Sequence, residues 1–162
     1  MAALLDLGTL LCALGCGLVA GILFAFSTFV MKALGVLPPA QGIAAMQSIN
    51  MAVINPWFLT PFLGTAVACV LMLMLIASLL QWHDPRPIYL LVGSALYLLG
   101  TVAVTMFCNV PRNNTLAALA PPSPEGAKSW SAYRSGWTAW NHVRTAAALA
   151  AALSFSIALS HQ

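Results

Sequence analysis

Residues 57–80 read WFLTPFLGTAVACVLMLMLIASLL, residues 81–87 read QWHDPRP, and residues 88–107 read IYLLVGSALYLLGTVAVTMF. Each apolar run has the roughly 20 residues that a helix needs to cross a bilayer. The connection between them is long enough only for a turn, so the two helices are expected to lie side by side and antiparallel. Trp82 and Tyr89, at the two edges of that turn, fit the aromatic belt of a membrane boundary.

The rest of the chain repeats this pattern outward in both directions. Upstream, MAALLDLGTLLCALGCGLVAGILFAFSTFVMKAL (residues 1–34) is apolar for far longer than a signal peptide core, and Asp6 stands where such a peptide carries a base. It reads as a retained first span, about residues 4–33. Gly17 and Gly21 give it a small-xxx-small pair, which predicts a close helix neighbour. Downstream, SWSAYRSGWTAWNHVRTAAALAAALSFSIALS (129–160) predicts a fourth span, about residues 131–159. Between spans 1 and 2 lies LPPAQGIAAMQSINMAVINPWF (37–58), where Ile43, Met46, Ile49 and Val53 recur at helical spacing. That segment is too short to span and predicts an amphipathic helix at the interface or over the bundle mouth. Asn55 before Pro56 should end it.

The expected fold is therefore all-α: one integral membrane domain covering residues 1–162, a four-transmembrane-helix up-down bundle with an extra short amphipathic helix. Composition agrees. Only 6% of the residues are charged and 61% are hydrophobic, against about a quarter charged in soluble domains. The net charge of +3 is scattered, which argues against nucleic acid as a partner. Lys32, Arg112, Lys128 and Arg134 fall on the loop-rich face and Arg86 on the other, so the positive-inside rule puts the long connections in the cytoplasm. The expected location is a bacterial cell membrane, with the bilayer itself as partner and homo-oligomerisation left open. Cys12, Cys16, Cys69 and Cys108 show no metal-ligand spacing and read as small apolar helix residues.

The chemistry concentrates at the start of the fourth helix. Trp130, Tyr133, Trp137, Asn141 and Arg144 follow spacings of three and four and share one face. Thr145–Leu159 alone is a short crossing, so the span draws on this polar half, and Arg144 and Asn141 lie at or below the membrane boundary. Ionisable groups there usually face the bundle interior or a wet cavity. From the same end come Ser27 and Lys32, then Gln47, Asn50 and Asn55, then Asn109, Arg112, Asn113 and Asn114. Carboxamides supply paired donors and acceptors without charge, and indoles supply flat walls. Together they suit a flat hydroxylated or carbonyl-bearing ligand. An interfacial aromatic belt with Arg144 snorkelling is the plainer alternative. Matched haem ligands, three-ligand metal sites, phosphate loops and nucleophile elbows are missing from the sequence, so an enzyme here is expected to use no cofactor and no metal.

The stretches GILFAFSTFVMKAL (21–34), AAMQSINMAVINPWF (44–58), FCNVPRNNTLAAL (107–119) and WTAWNHVRT (137–145) resemble the anthrone oxygenase family. These are small membrane proteins of fungal polyketide pathways, also widespread in bacteria, and the fungal members are associated with oxidising an anthrone to an anthraquinone. The resemblance implies a cofactor-independent oxygenase acting on an anthrone-like or other lipophilic phenolic aromatic substrate, with dioxygen as co-substrate. Chemistry then suggests His142 as the base, Arg144 and Asn141 as stabilisers of the oxyanion, and Trp137 and Trp140 as walls of the ring site. Asn109, Asn113 and Gln47 would orient phenols, with Asn50, Arg112 and Tyr133 completing the substrate site. A reaction chamber would be bounded by Trp137, Asn141 and the segment after Asn109. Two other readings stay open: a non-catalytic membrane protein binding a small molecule or partner proteins, and an oxidoreductase with a borrowed haem or quinone.

Overall fold

The computed structural model describes residues 2–79, 85–120 and 124–161. Four helices are long and apolar enough to cross a membrane: Ala3–Gly35, Pro56–Ala77, Arg86–Ala117 and Gly126–Ser160. In finer detail the chain runs α1 (Ala2–Ala25), π1 (Phe26–Val30), α2 (Met31–Gly35), α3 (Pro39–Ala52) and α4 (Pro56–Leu79). It continues through α5 (Arg86–Ala95), π2 (Leu96–Ala103), π3 (Thr105–Asn109), α6 (Val110–Ala117) and α7 (Pro124–Ser160). The all-helical architecture matches the reading from hydropathy.

The helices close into a ring: α1 packs on α4, α4 on α5, α5 on α7, and α7 back on α1. Side chains fix the up-down order. Arg86, at the start of the third span, pairs with Asp6 near the start of the first. Tyr89 stacks on His161 beyond the end of the fourth, with centroids 5.6 Å apart. Both chain ends and the start of the third span therefore share one end of the bundle. The predicted turn at Trp82 and His83 lies outside the described residues.

Two apolar clusters fill the interior. The larger, with Cys12, Cys16, Val19, Phe62, Cys69 and Phe155, joins all four spans. The smaller lies at the other end and is built by α2, α3, α6 and α7 through Met31, Ile43, Met46, Leu116 and Trp130. The amphipathic segment thus folds over the bundle mouth, its Ile43 and Met46 buried. Asn55 does end it: its Oδ1 accepts from the Phe58 N–H at 3.1 Å, capping α4.

Three features depart from expectation. The third helix runs on to Ala117 and the fourth begins at Pro124, so most of the connection expected between the third and fourth spans, residues 108–130, is helical. Pro124 sits where a missing N–H costs little, at the first position of α7; Pro111 lies within the continuous third helix, directly after the wide turn of π3. Second, Gly17 and Gly21 have no atom within 4 Å of where a side chain would begin, whereas Gly15 lies against Thr65. The close approach lies on nearly the opposite side of the helix from the predicted pair, Gly15 and Gly17 being about 200° apart.

The third departure is the π-helical winding. The Met31 N–H donates to the Phe26 carbonyl and the Val110 N–H to the Thr105 carbonyl, each five residues back. Such wide turns shift the phase of the side chains that follow and are frequent at functional sites. Here they carry Ser27, Thr101, Thr105 and Asn109.

Candidate functional site

The first half of α7 organises a polar layer between the two apolar clusters. At about 100° per residue, Trp130, Tyr133, Trp137, Asn141 and Arg144 fall on one face, and all are buried. The rings form a column. Trp130 stacks on Tyr133 at 5.7 Å, Tyr133 tilts against Trp137 at 6.5 Å, and Phe26 covers Trp137 from π1 at 5.6 Å. A guanidinium flanks each end: Arg134 lies 5.9 Å from the Trp130 ring and Arg144 5.2 Å from the Trp137 ring, distances at which the ring face attracts a cation. Two glycines admit this column. A side chain at Gly42 would meet the Trp130 ring at 2.8 Å, and one at Gly35 would collide with the Arg134 guanidinium.

Inside the column lies a hydrogen-bonded core. Asn141 is fully buried. Its Nδ2 donates to the Leu23 carbonyl at 2.8 Å and to Ser27 Oγ at 2.7 Å, and its Oδ1 accepts from Arg144 Nη2 at 2.6 Å. Arg144 Nη1 donates to Thr105 Oγ1 at 3.1 Å. Thr145 Oγ1 donates to the Asn141 carbonyl at 2.8 Å, and Thr101 Oγ1 to the Arg144 carbonyl at 3.3 Å. The third, first and fourth spans are thereby tied at one depth.

Arg144 is 6% exposed and its Nε has no hydrogen-bond partner. Among the described residues no carboxylate reaches it; the ion pair that is present, Arg86 with Asp6, belongs to the other end. A cation at the centre of a spanning helix costs about 2.5–3.5 kcal/mol on insertion scales. Neutral hydrogen bonds and the Trp137 face offset part of that cost while leaving the charge uncancelled.

A second tier sits nearer the mouth. Asn113 Oδ1 accepts from Tyr133 OH at 2.9 Å and from Trp137 Nε1 at 2.8 Å. Asn109, 1% exposed, donates through Nδ2 to the Trp137 carbonyl at 3.2 Å, and its Oδ1 is unpartnered. Gln47 Nε2 donates to the carbonyls of Leu116 and Leu119 at 2.9 and 3.1 Å, holding α3 to the end of α6. Asn50 is half-buried with Nδ2 unpartnered. Arg112 Nη1 donates to the Cys108 carbonyl at 2.6 Å. A cavity of about 280 Å³ opens beside this tier, between α6 and α7, with Arg112 and Tyr133 in its wall.

The structure gathers most of the residues singled out from sequence and separates three, His142, Trp140 and Asn114. His142 is exposed. It follows Asn141 by one residue and precedes Arg144 by two, which turns it some 160° away from the guanidinium. The expected base therefore points off the polar layer, and that assignment is corrected. Trp140 lies at the exposed flank of the helix and does not join Trp137 as an inner wall. Asn114 is exposed too. The cavity reaches toward Tyr133 and Arg112, and neither Trp137 nor Asn141 lines it. Sequence reasoning passed over Thr101, Thr105 and Thr145; the available signal was a pair of hydroxyls four residues apart in an otherwise apolar run. Among the described residues no group of three or more His, Cys, Asp or Glu is placed to hold a metal ion.

A family model described as Anthrone oxygenase matches residues 56–154, from the start of α4 to the last turns of α7. No curated protein and no solved structure matches the chain.

Proposed function

The chain belongs to the anthrone oxygenase family, and from that premise we propose that it is a membrane-embedded oxygenase of lipophilic phenolic aromatics, with Arg144 as its anion-stabilising centre. The observation that carries this reading is a buried guanidinium without a carboxylate partner among the described residues, presenting an unused Nε–H beside an indole face. An anthrone has a methylene flanked by two rings and conjugated to a ketone. Loss of one methylene proton leaves a carbanion whose charge is spread onto the carbonyl oxygen. That oxygen is the natural partner of Arg144, in an environment where water is excluded and the interaction is strong. Asn109 Oδ1, an unsatisfied acceptor in the neighbouring tier, is offered to a phenol hydroxyl.

The reaction balances without an outside reductant. The carbanion passes an electron to dioxygen, and recombination with protonation forms a C–O bond in a hydroperoxide. Loss of the second proton from that carbon with cleavage of the O–O bond gives the new ketone and water. One dioxygen is consumed per quinone. No side chain is assigned the proton, since His142 faces away.

The specific observation on the other side is that Asn141 has both donors and its acceptor engaged within the protein. That favours, as a second reading, a structural keystone in a non-catalytic binding protein. The two readings part in one experiment. Protein reconstituted in nanodiscs is given an anthrone, and oxygen uptake and quinone absorbance are followed against protein-free nanodiscs. The expected results are a protein-dependent rate, a loss of about a hundredfold or more in Arg144→Gln, and no change in His142→Ala. A wild-type protein with no rate above the spontaneous one, or a folded Arg144→Gln protein at full rate, overturns the proposal.

A further inference from the structure

We propose that the cavity between α6 and the first turns of α7 is a capture site for an aromatic carboxylate, with Arg112 as its anion-binding residue. The cavity holds about 280 Å³, close to the lower end for small-molecule pockets, and so suits a body of one to three rings. Its wall is divided by chemistry. Leu116, Leu119 and Ala132 form an apolar side, with the Tyr133 ring beside them; Arg112, Thr115 and Ser129 supply polar groups. The Tyr133 hydroxyl is already given to Asn113, so this residue presents its ring.

Arg112 carries five N–H donors in a planar fork. Among the described residues one hydrogen bond engages it, to the Cys108 carbonyl, and no ion pair includes it. Gly136 lets the guanidinium lie close to α7: a side chain there would begin 3.0 Å from Arg112 Nε. The Thr115 hydroxyl already donates to the Pro111 carbonyl at 3.1 Å; the guanidinium fork beside the Ser129 hydroxyl matches a carboxylate in geometry as well as charge. The apolar side and the ring match an aromatic body.

This site is separate from the centre at Arg144. The Arg144 guanidinium lies against the Trp137 ring, and neither Arg144 nor Trp137 lines the cavity. The aromatic body of the ligand rests on the proposed reaction and its carboxylate on Arg112, and the inference does not need the reaction to occur. The cavity is a point of capture at the bundle mouth for acids that partition into the bilayer.

The test is equilibrium dialysis of 2-naphthoate, which has no oxidisable methylene, against the intact protein in zwitterionic nanodiscs, with 2-naphthamide as the neutral counterpart. Saturable one-to-one binding is expected, with naphthoate preferred by about tenfold or more. Arg112→Gln should abolish the preference and leave naphthamide affinity unchanged, while Arg112→Lys should keep part of it. Ala132→Leu, which fills the cavity without touching the charge, should weaken both ligands and serves if Arg112→Gln fails to fold. Arg144→Gln should leave naphthoate binding intact, so failure of the oxygenase reading is seen separately. Equal affinity for the two ligands, a preference surviving in Arg112→Gln, or naphthoate displaced by phosphatidylglycerol in the disc overturns the proposal; the last would make this a lipid-headgroup site.

Discussion

Replacing Thr105 by Asp puts a carboxylate where a neutral hydroxyl now accepts from Arg144. The Oγ1 to Nη1 distance is 3.1 Å, so the new charge lies within about 4 Å of the guanidinium. At an effective dielectric near 20 that pair is worth about 4 kcal/mol. Against it stand the desolvation of the carboxylate, several kcal/mol at a half-buried site, and the lost bond from Thr105 Oγ1 to the Thr101 carbonyl, about 1 kcal/mol. The terms nearly cancel, and folding stability should stay within about 2 kcal/mol of wild type. Function should not. An internal counter-ion removes about the same 4 kcal/mol from the pull that Arg144 exerts on a bound anion, close to three decades in rate. Thr105→Asn, which changes the shape similarly without the charge, is the control and should stay within about tenfold. The assay pairs thermal unfolding in detergent with oxygen uptake on an anthrone in nanodiscs. A well-folded Thr105→Asp protein that consumes oxygen within a few-fold of wild type would refute the idea that Arg144 acts through its uncancelled charge.

Other expectations follow from single contacts. Gly42→Leu should cost about 1–3 kcal/mol, because its side chain would begin 2.8 Å from the Trp130 ring; loss of thermal stability with a shifted indole emission would show it. Asn113→Leu strands the Tyr133 hydroxyl and Trp137 Nε1 together, so a loss of about 1–3 kcal/mol for each donor is expected, whereas Asn113→Asp keeps the acceptor and should be far milder in the same unfolding measurement. Asp6→Asn should lower stability by about 1–2 kcal/mol, less than for a fully buried pair because Asp6 is partly exposed, and should leave oxygen uptake unaltered.

The contrast between Asn141 and His142 shows how far the site could be read in advance. Helical periodicity alone puts Trp130, Tyr133, Trp137, Asn141 and Arg144 on one face, and the structure buries all five. The same arithmetic turns His142 away from that face, so its exclusion is legible in the sequence. The partners of Asn141 were not legible. Leu23 and Ser27 are 118 and 114 residues distant in the chain, and their meeting depends on the relative depth and rotation of two helices.

The amino-acid sequence by itself determined that this chain makes four apolar helices, a short amphipathic one over their mouth, and a polar face on the last. Those follow from local hydropathy and from the 3.6-residue turn, which each segment expresses without reference to the others. Tertiary structure alone decided the π-helical stretches that bring Ser27, Thr105 and Asn109 to α7, the continuation of the third helix to Ala117, and the cavity beside Arg112. Each of these depends on which helix faces which and at what depth, and inside a bundle a buried polar group takes the partners that its neighbours present.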